Sequence, residues 1–558
     1  MQNDTPWVDG LTIGEVLRRT AERYPDHDAL VFPQLGLRRN YGGFLADVNR
    51  AARGLVSLGI GAGDHVAVWA TNVPEWVVLQ FATARIGAVL VTINPAYRPF
   101  ELQYVLKQSD AKALFLVDHF KASDYFAMLA EVCPKLAASQ PGQLDAEQFP
   151  QLRWVVAIKG ATLAGAISWT EMLGRGDSVA ESQLDTIAAR LKPHDPINIQ
   201  YTSGTTGFPK AATLSHRNLL LNVFYSGACQ RYSDQDRICI PVPFYHCFGC
   251  VLGTLCAVVY GAAMVVPAES FDPAATLAAI EKERATSLYG VPTMFIAQLH
   301  DPFRKSRDLS SLRTGIMAGS PCPIETMRAV VDEMGCDEIT IGYGQTEASP
   351  IITQTRVDDP LELRVETVGR PIPGLEVKVV DPATGETLPD NVQGELCARG
   401  HCVMLGYYNN PEATREAIDA HGWLHTGDLA IRLPNGYYKI TGRIKDMVIR
   451  GGENIYPREI EEFLFTHPAI EQASVVGVPD PKYGEELCAW IKLKQGHSGA
   501  VSDQEIRDFC RAKLAHYKVP RYIKFVESFP QTVTGKIQKF KIREMMCDEL
   551  QLKEQMTA

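Results

Sequence analysis

Tyr201-Thr-Ser-Gly-Thr-Thr-Gly-Phe-Pro-Lys210 decides how this chain is read. The run from Ile197 to Thr202 reads as a strand, and it opens into hydroxyl residues and two glycines. Small residues let backbone N–H groups approach an oxyanion closely. Hydroxyls add donors and Lys210 adds a positive charge, so Thr202, Ser203, Gly204, Thr205, Thr206, Gly207, Phe208, Pro209 and Lys210 together read as a cradle for a polyphosphate. The spacing is not that of a Walker A loop, which needs four residues between its first Gly and its Gly-Lys. Here two residues separate Gly204 from Gly207, and Lys210 follows Pro209. Ser215 then reads as the N-cap of a helix with Leu219, Leu220, Val223 and Phe224 on one face. Alone, the stretch could be a Gly/Thr surface loop, and the blocks that follow decide against that.

Upstream, short apolar runs alternate with amphipathic segments. Ala29–Phe32, His65–Ala70, Val89–Ile93 and Ala113–Val117 read as strands; Phe44–Leu58, Pro74–Ile86 and Glu101–Gln108 read as helices. This alternation predicts an α/β fold with two helix-covered, mainly parallel sheets. Residues 119–150 are the least regular and are expected to form a surface excursion. Phe244 to Ala268 has no Asp, Glu, Lys or Arg, but prolines and glycines punctuate it. It reads as a buried helix (about Gly249–Tyr260), a turn at Gly261 and a strand (Ala263–Val266), not as a membrane span.

Downstream of residue 367 the texture changes to short strands and turns, with strands at Leu375–Val380, Gly394–Ala398 and Tyr437–Ile440, which predicts a small β-rich subdomain over 367–442. After Gly442 an α+β pattern restarts: a helix from Pro457 to Phe465, strands at Ala473–Val478 and Cys488–Leu493, and a capping box of Ser502 and Glu505. The expected division is a large N-terminal domain, 1–442, a hinge at 443–446 and a small mobile C-terminal lid, 447–558.

The 558 residues exceed what one core usually holds. Acidic residues outnumber basic ones, 65 to 55, and the formal charge is -10. That excludes nucleic acid as the main partner, and local donors must gather any anionic substrate. The residues Met1 to Gly10 show no basic and apolar leader pattern. Thirteen scattered cysteines suit reduced thiols, so a cytoplasmic protein is expected. Cys247 and Cys250 form one isolated C-x-x-C among apolar residues, better suited to packing than to zinc or redox chemistry.

Further blocks carry chemistry. Tyr343-Gly-Gln-Thr-Glu347 sets a ring, a tight glycine, a hydroxyl and a carboxylate within five residues. The ring can stack on a purine, and a hard carboxylate suits Mg²⁺ shared with phosphate oxygens. Asp428, in Trp423-Leu-His-Thr-Gly-Asp428, can accept hydrogen bonds from both ribose hydroxyls. Lys536, in Thr534-Gly-Lys536, can stabilise the charge that builds when a carboxylate attacks a phosphorus; Gly535 lets it approach.

Taken with Gly319-Ser-Pro-Cys-Pro323, Gly442-Arg-Ile-Lys-Asp446 and Gly451-Gly-Glu-Asn454, these blocks closely resemble, in order, those of the adenylate-forming (AMP-binding) superfamily. That superfamily holds acyl-CoA synthetases, firefly luciferases and peptide-synthetase adenylation domains. The match runs from about residue 12 to 545. Arg450-Gly-Gly-Glu-Asn-Ile-Tyr-Pro457 and Gly535-Lys-Ile-Gln-Lys-Phe540 look most like the medium-chain fatty acyl-CoA synthetase branch.

The resemblance implies a fatty acid–CoA ligase that uses ATP, Mg²⁺ and coenzyme A and passes through an acyl-adenylate. It implies that the loop, Gly319, Ser320, Pro321, Tyr343, Gly344, Gln345, Thr346, Asp428 and Arg443 bind the nucleotide. Glu347 would hold the metal, and Lys536, Thr206, Glu347 and His246 would serve catalysis. Lys445 would be the hinge, and Gly451, Gly452 and Glu453 would meet coenzyme A. His246 also reads as a satisfied core histidine. A homodimer is compatible with this reading. The rivals are a stand-alone acyl-AMP ligase that loads a carrier protein, a luciferase-type oxygenase and a non-catalytic nucleotide-binding regulator.

Overall fold

The computed structural model describes residues 5–160, 163–202, 209–320, 322–451, 453–497, 499, 501–532 and 535–552. Strand Pro196–Thr202 lies inside an eight-stranded sheet. On one side it runs parallel to Val89–Thr92, followed by His65–Trp69, Ala113–Leu116, Trp154–Ala157 and Ile167–Ser168, all parallel. Their continuous Val, Leu and Ala runs are buried, as strands covered on both faces require.

On its other side the sequence expectation needs correcting. Lys210–Ser215 is not a lead into the helix but a strand, antiparallel to Pro196–Thr202 and paired from Ser215 back to Lys210. Gly406–Tyr407 then pairs with it at the sheet edge. The strand state of Lys210–Ser215 comes from pairing with Pro196–Thr202 and Gly406–Tyr407, a tertiary demand that local periodicity cannot reveal. The pair Thr202–Lys210 thus flanks residues 203–208 of the sequence motif, which lie outside the described residues. The expected helix starts beyond Lys210–Ser215, over His216–Cys229. Ser215 caps it, accepting from the Asn218 N–H, and the Asn218 side chain returns the bond.

A second sheet of nine strands is parallel through Asp28–Phe32, Ala263–Val265, Arg237–Cys239, Ser287–Gly290, Thr314–Ala318 and Glu338–Gly344, with antiparallel strands at both edges. Helix Pro74–Ile86 is buried on nearly every side, which is why it lacks a polar face. The uncharged segment after Phe244 is a buried π-helix (Phe248–Leu255) running into an α-helix (Cys256–Tyr260), a left-handed Gly261 and strand Ala263–Val265. Among the described residues no helix is long and apolar enough to cross a membrane.

Residues 119–150 are more than an excursion: Tyr125, Leu129, Leu136, Leu144 and Phe149 are buried, and helix Tyr125–Val132 packs into the core. Their apolar anchors are spaced too irregularly to declare themselves. A four-stranded antiparallel sheet follows: Leu375–Val380, Gln393–Gly400, Leu424–Arg432 and Tyr438–Arg443. A five-stranded sheet built around Gly484–Leu493 and Ile470–Asp480 comes last, flanked by helix Pro457–Phe465 and helix Lys539–Glu549. Ser502 accepts from the Glu505 N–H at 3.2 Å and caps helix Asp503–Arg511.

Candidate active site

The Thr202–Lys210 pair fixes one end of the site. Thr202 Oγ1 donates to Glu347 Oε1 at 3.1 Å. Tyr407 OH donates to the same oxygen at 2.8 Å, and the Lys210 ammonium lies 5.1 Å from the Tyr407 ring centre. Glu347 sits in the short turn Thr346–Ala348 after strand Glu338–Gly344, and its carbonyl accepts from the Met404 N–H. Three chain segments thus converge on one carboxylate, which two hydroxyl donors hold and aim. Tyr407 escaped the sequence reading. Its only signal is a Gly-Tyr pair, which reads as an ordinary turn until the sheet edge brings it to Glu347. Ser203, Gly204, Thr205, Thr206, Gly207 and Phe208 lie outside the described residues, as do Pro321, Gly452 and Thr534. Pro209 is described, and its carbonyl accepts from Tyr104 OH.

A second cluster forms where two sheets meet. Asp428 is 4% exposed and stands opposite Arg443 in the four-stranded sheet. Arg443 Nε donates to Asp428 Oδ1 at 2.9 Å, and Tyr343 OH donates to Oδ2 at 2.7 Å. Burial and the Asp428 charge push the Tyr343 phenol well above its ordinary range. Gly344 has no room for a side chain, because a Cβ there would lie 1.8 Å from the Pro350 carbonyl oxygen. The Gln345 N–H donates to that same oxygen at 2.9 Å.

Lys536 comes to this cluster from the last part of the chain. It sits on a tight turn: Gly535 N–H donates to the Thr532 carbonyl, and Lys536 N–H donates to Thr532 Oγ1. Gly535 has φ +77°, and a Cβ there would lie 2.6 Å from Thr293 Oγ1. Gly319 has φ +88°, and a Cβ there would lie 3.5 Å from Lys536 Cε. The lysine stem therefore runs past Gly319 at contact distance, with Ser320 next in the chain.

Burial and Arg443 hold the Lys536 ammonium below its ordinary range, while Asp428 and Glu347 act in the opposite direction. His246 is pushed down to about 3, first by desolvation and then by Lys536. The Phe248 N–H donates to its Nδ1 at 3.2 Å, so the neutral ring carries its proton on Nε2. Cys247 Sγ lies 3.7 Å from Thr346 Oγ1. Cys250 is buried beside Gln200. The C-x-x-C is packing.

Lys445, in the turn Ile444–Asp446, is held below its ordinary range by burial and then by Lys210 and Arg443. Four cations, Lys210, Arg443, Lys445 and Lys536, thus gather around two carboxylates in a chain of net charge -10. That is a local positive field suited to an anionic, metal-bound polyphosphate. Gly451 and Glu453 lie elsewhere, in a hairpin of the five-stranded sheet. Gly451 N–H donates to the Tyr483 carbonyl, and Glu453 pairs with Arg450. Arg450 makes two 2.8 Å bonds to Glu486.

Glu347 fits Mg²⁺: it is a hard oxygen donor beside the Thr202–Lys210 pair, and its side-chain partners among the described residues, Thr202 and Tyr407, are hydroxyls.

Comparison with known proteins gives matches along nearly the whole chain. The family model for the AMP-binding enzyme matches residues 17–408, and that for the AMP-binding enzyme C-terminal domain matches residues 459–536. A Bacillus subtilis protein named as an acyl-CoA synthetase, YngI, is 53% identical over 535 residues, covering 96% of each chain. The mitochondrial medium-chain acyl-CoA ligase ACSF2 of Danio rerio is 46% identical, covering 97% of this chain and 90% of its own. Among solved structures, anthranilate CoA ligase AuaEII in complex with anthranoyl-AMP superposes with a TM-score of 0.85 at 28% identity, over 97% of this chain and 98% of that one. ATP-bound MatB from Rhodopseudomonas palustris does so with a TM-score of 0.78 at 28% identity, over 97% of this chain and 100% of that one.

Proposed function

The chain belongs to the AMP-binding enzyme family, and on that premise we propose that it is an AMP-forming fatty acid–CoA ligase acting on medium-chain acids. The observation that carries the reading is the arrival of Lys536 beside Gly319, Arg443, Asp428 and Glu347. A sensor of nucleotide has no use for a buried ammonium at the α-phosphate. The medium-chain assignment rests on the names of relatives such as the Danio rerio ligase.

In the first half-reaction the acid's carboxylate attacks the α-phosphorus of ATP, and pyrophosphate leaves. The Thr202–Lys210 segment, with its lysine, holds the phosphates, and Tyr343 and Gly344 take the base. Asp428 accepts from the ribose, and Thr346 contacts the α-phosphate. Glu347 would hold Mg²⁺, which supplies charge neutralisation on the phosphates. Lys536 stabilises the added charge of the transition state, an effect of about 3–4 kcal/mol for one well-placed donor. Neutral His246 stands beside the substrate carboxylate, to which its Nε2–H can donate.

In the second half-reaction the coenzyme A thiol attacks the acyl carbon and AMP leaves. We place the domain division at 1–442, with the β-rich part at 367–442, a hinge at 443–446 and a lid at 447–558. Rotation at Lys445 withdraws Lys536 and brings Gly451, Gly452 and Glu453 to line the pantetheine channel, so one pocket serves both steps. Free thiols at all thirteen cysteines suit a reducing cytoplasm, and a homodimer is part of the same reading, to be checked by sedimentation.

The test supplies ATP, Mg²⁺, coenzyme A and a C6–C10 fatty acid. Acyl-CoA, AMP and pyrophosphate are expected; ADP in place of AMP overturns the mechanism.

A further inference from the structure

The structure assigns a binding site for one borderline-soft divalent cation, zinc being the best match, to Glu395, Cys397 and His425 in the four-stranded sheet. The pleat brings the three together. Residues two apart on a strand share a face, so Glu395 and Cys397 point the same way, and Cys397 stands opposite His425 on the neighbouring strand. Glu395 pairs with Leu429, so two steps on one strand face four on the other. The surplus is the bulge Thr426-Gly427-Asp428, and it draws His425 towards Glu395. His425 Nδ1 lies 2.8 Å from Glu395 Oε2 and 3.5 Å from Cys397 Sγ. All three donor atoms lie within 4.8 Å of one another. Ligand atoms on a tetrahedron with Zn–N, Zn–O and Zn–S bonds of about 2.0–2.3 Å are about 3.3–3.8 Å apart, so side-chain adjustment alone closes the site.

The surroundings support an ion. His425 Nε2 faces Asp419 Oδ2 at 3.8 Å, a small side-chain shift short of the carboxylate–histidine hydrogen bond that orients metal-bound imidazoles. Glu395 and Cys397 are buried, whereas His425 is half-exposed and leaves a route in. A carboxylate, a thiolate and an imidazole suit Zn²⁺ or Co²⁺ and disfavour Mg²⁺. The Cys397 thiol binds as thiolate and releases its proton to water, while the imidazole stays neutral with its proton on Nε2, the nitrogen that faces Asp419. Lys378, opposite Cys397, opposes the ion, but its ammonium is turned over the Trp423 ring at 4.4 Å.

Filling this site reaches the nucleotide. Gly427 N–H donates to Glu395 Oε1 at 2.9 Å, and Thr426 Oγ1 donates to the Leu396 carbonyl at 2.7 Å. An ion that takes the Glu395 carboxylate loosens the bulge that aims Asp428. Zinc therefore weakens ATP use; this consequence, unlike the binding, rests on the function proposed above.

The experiment titrates metal-free, tag-free, full-length protein with Co²⁺. One equivalent is expected to give a thiolate-to-cobalt charge-transfer band in the near ultraviolet, displaced by Zn²⁺. Cys397→Ser should abolish the band. His425→Gln, a substitution at a half-exposed position, should weaken binding at least about tenfold, with circular dichroism confirming that both variants fold. No band in the wild type, or the same band and affinity in both variants, overturns the site. One equivalent of Zn²⁺ should raise KM for ATP severalfold in the wild type and not in His425→Gln; an equal shift in both, or none with the site filled, overturns the link to Asp428. The cobalt titration needs no substrate, so it stands or falls apart from the ligase reading.

Discussion

Gly535→Ala adds one methyl group where the turn before Lys536 packs against Thr293 and Val291, and the structure gives its cost. The residue has φ +77°, a conformation that costs a non-glycine residue about 1–2 kcal/mol. The new Cβ would lie 2.6 Å from Thr293 Oγ1 and 3.2 Å from Val291 Cγ2, where ordinary contact starts at 3.4 Å. Relief needs a shift of about 0.8 Å at the residue beside Lys536, and a misplacement of about 1 Å at a reacting centre costs about a hundredfold. Strain adds a factor of about 5–30 in the population of the packed turn. Adenylation, read as pyrophosphate release at saturating ATP, should fall by about two to three orders of magnitude. Thioester formation from synthetic acyl-AMP and coenzyme A should stay within about threefold, because that step does not use this contact. Thr293→Ala removes the clashing oxygen but not the strain, so the double variant should recover about tenfold or more and still fall short of wild type. Wild-type adenylation by Gly535→Ala, or equal loss of both steps, refutes the moving-lid account.

Three further outcomes are expected. Glu347→Gln should cut adenylation by at least about a hundredfold and alter its Mg²⁺ dependence, and unchanged activity at limiting Mg²⁺ would remove Glu347 from the site. Tyr407→Phe keeps the ring under Lys210 but loses a hydrogen bond to a charged carboxylate, about 1.5–3 kcal/mol, so Mg²⁺ titration of pyrophosphate release should show a ten- to hundredfold loss; a wild-type titration would exclude a positioning role. His216, buried with its Nδ1 accepting from the Ile13 N–H, is pushed from 6.5 down to about 3 by burial. The unfolded chain takes up this proton first, so the associated stability is intact above pH 6.5 and is lost as pH falls towards 3. Between pH 7 and pH 5 the loss is about 2 kcal/mol, and urea denaturation of His216→Asn, which keeps an acceptor near Nδ1, should show that much less acid sensitivity. Equal pH dependence in both proteins would contradict it.

The fold was legible where pattern and packing agree. Val89 to Ile93 and His65 to Ala70 read as buried parallel strands because no Asp, Glu, Lys or Arg interrupts them, and Pro74–Ile86 read as a helix from its opening proline and its length. Lys210–Ser215 did not read as a strand, because its partners, Pro196–Thr202 and Gly406–Tyr407, define it across the chain. Leu424–Arg432 was missed for a related reason: the Thr-Gly-Asp bulge breaks its alternation while aiming Asp428. Candidate site residues were legible where a residue type is unusual for its place, as with glycines beside hydroxyls and Lys536 after a glycine. Tyr407 and Thr293 carry no such mark, and only the folded chain brings them against Glu347 and Gly535.

The central claim is that Lys536 serves one half-reaction and then leaves. The most direct measurement gives Lys536→Ala preformed acyl-AMP and coenzyme A and follows thioester formation beside its adenylation rate. Adenylation should be down by about two to four orders of magnitude, the scale of one lost transition-state donor. Thioester formation should run near the wild-type rate, and Lys445→Pro, whose φ is locked, should show the opposite pair of rates. If Lys536→Ala loses both half-reactions alike, the single pocket with a moving lid is contradicted.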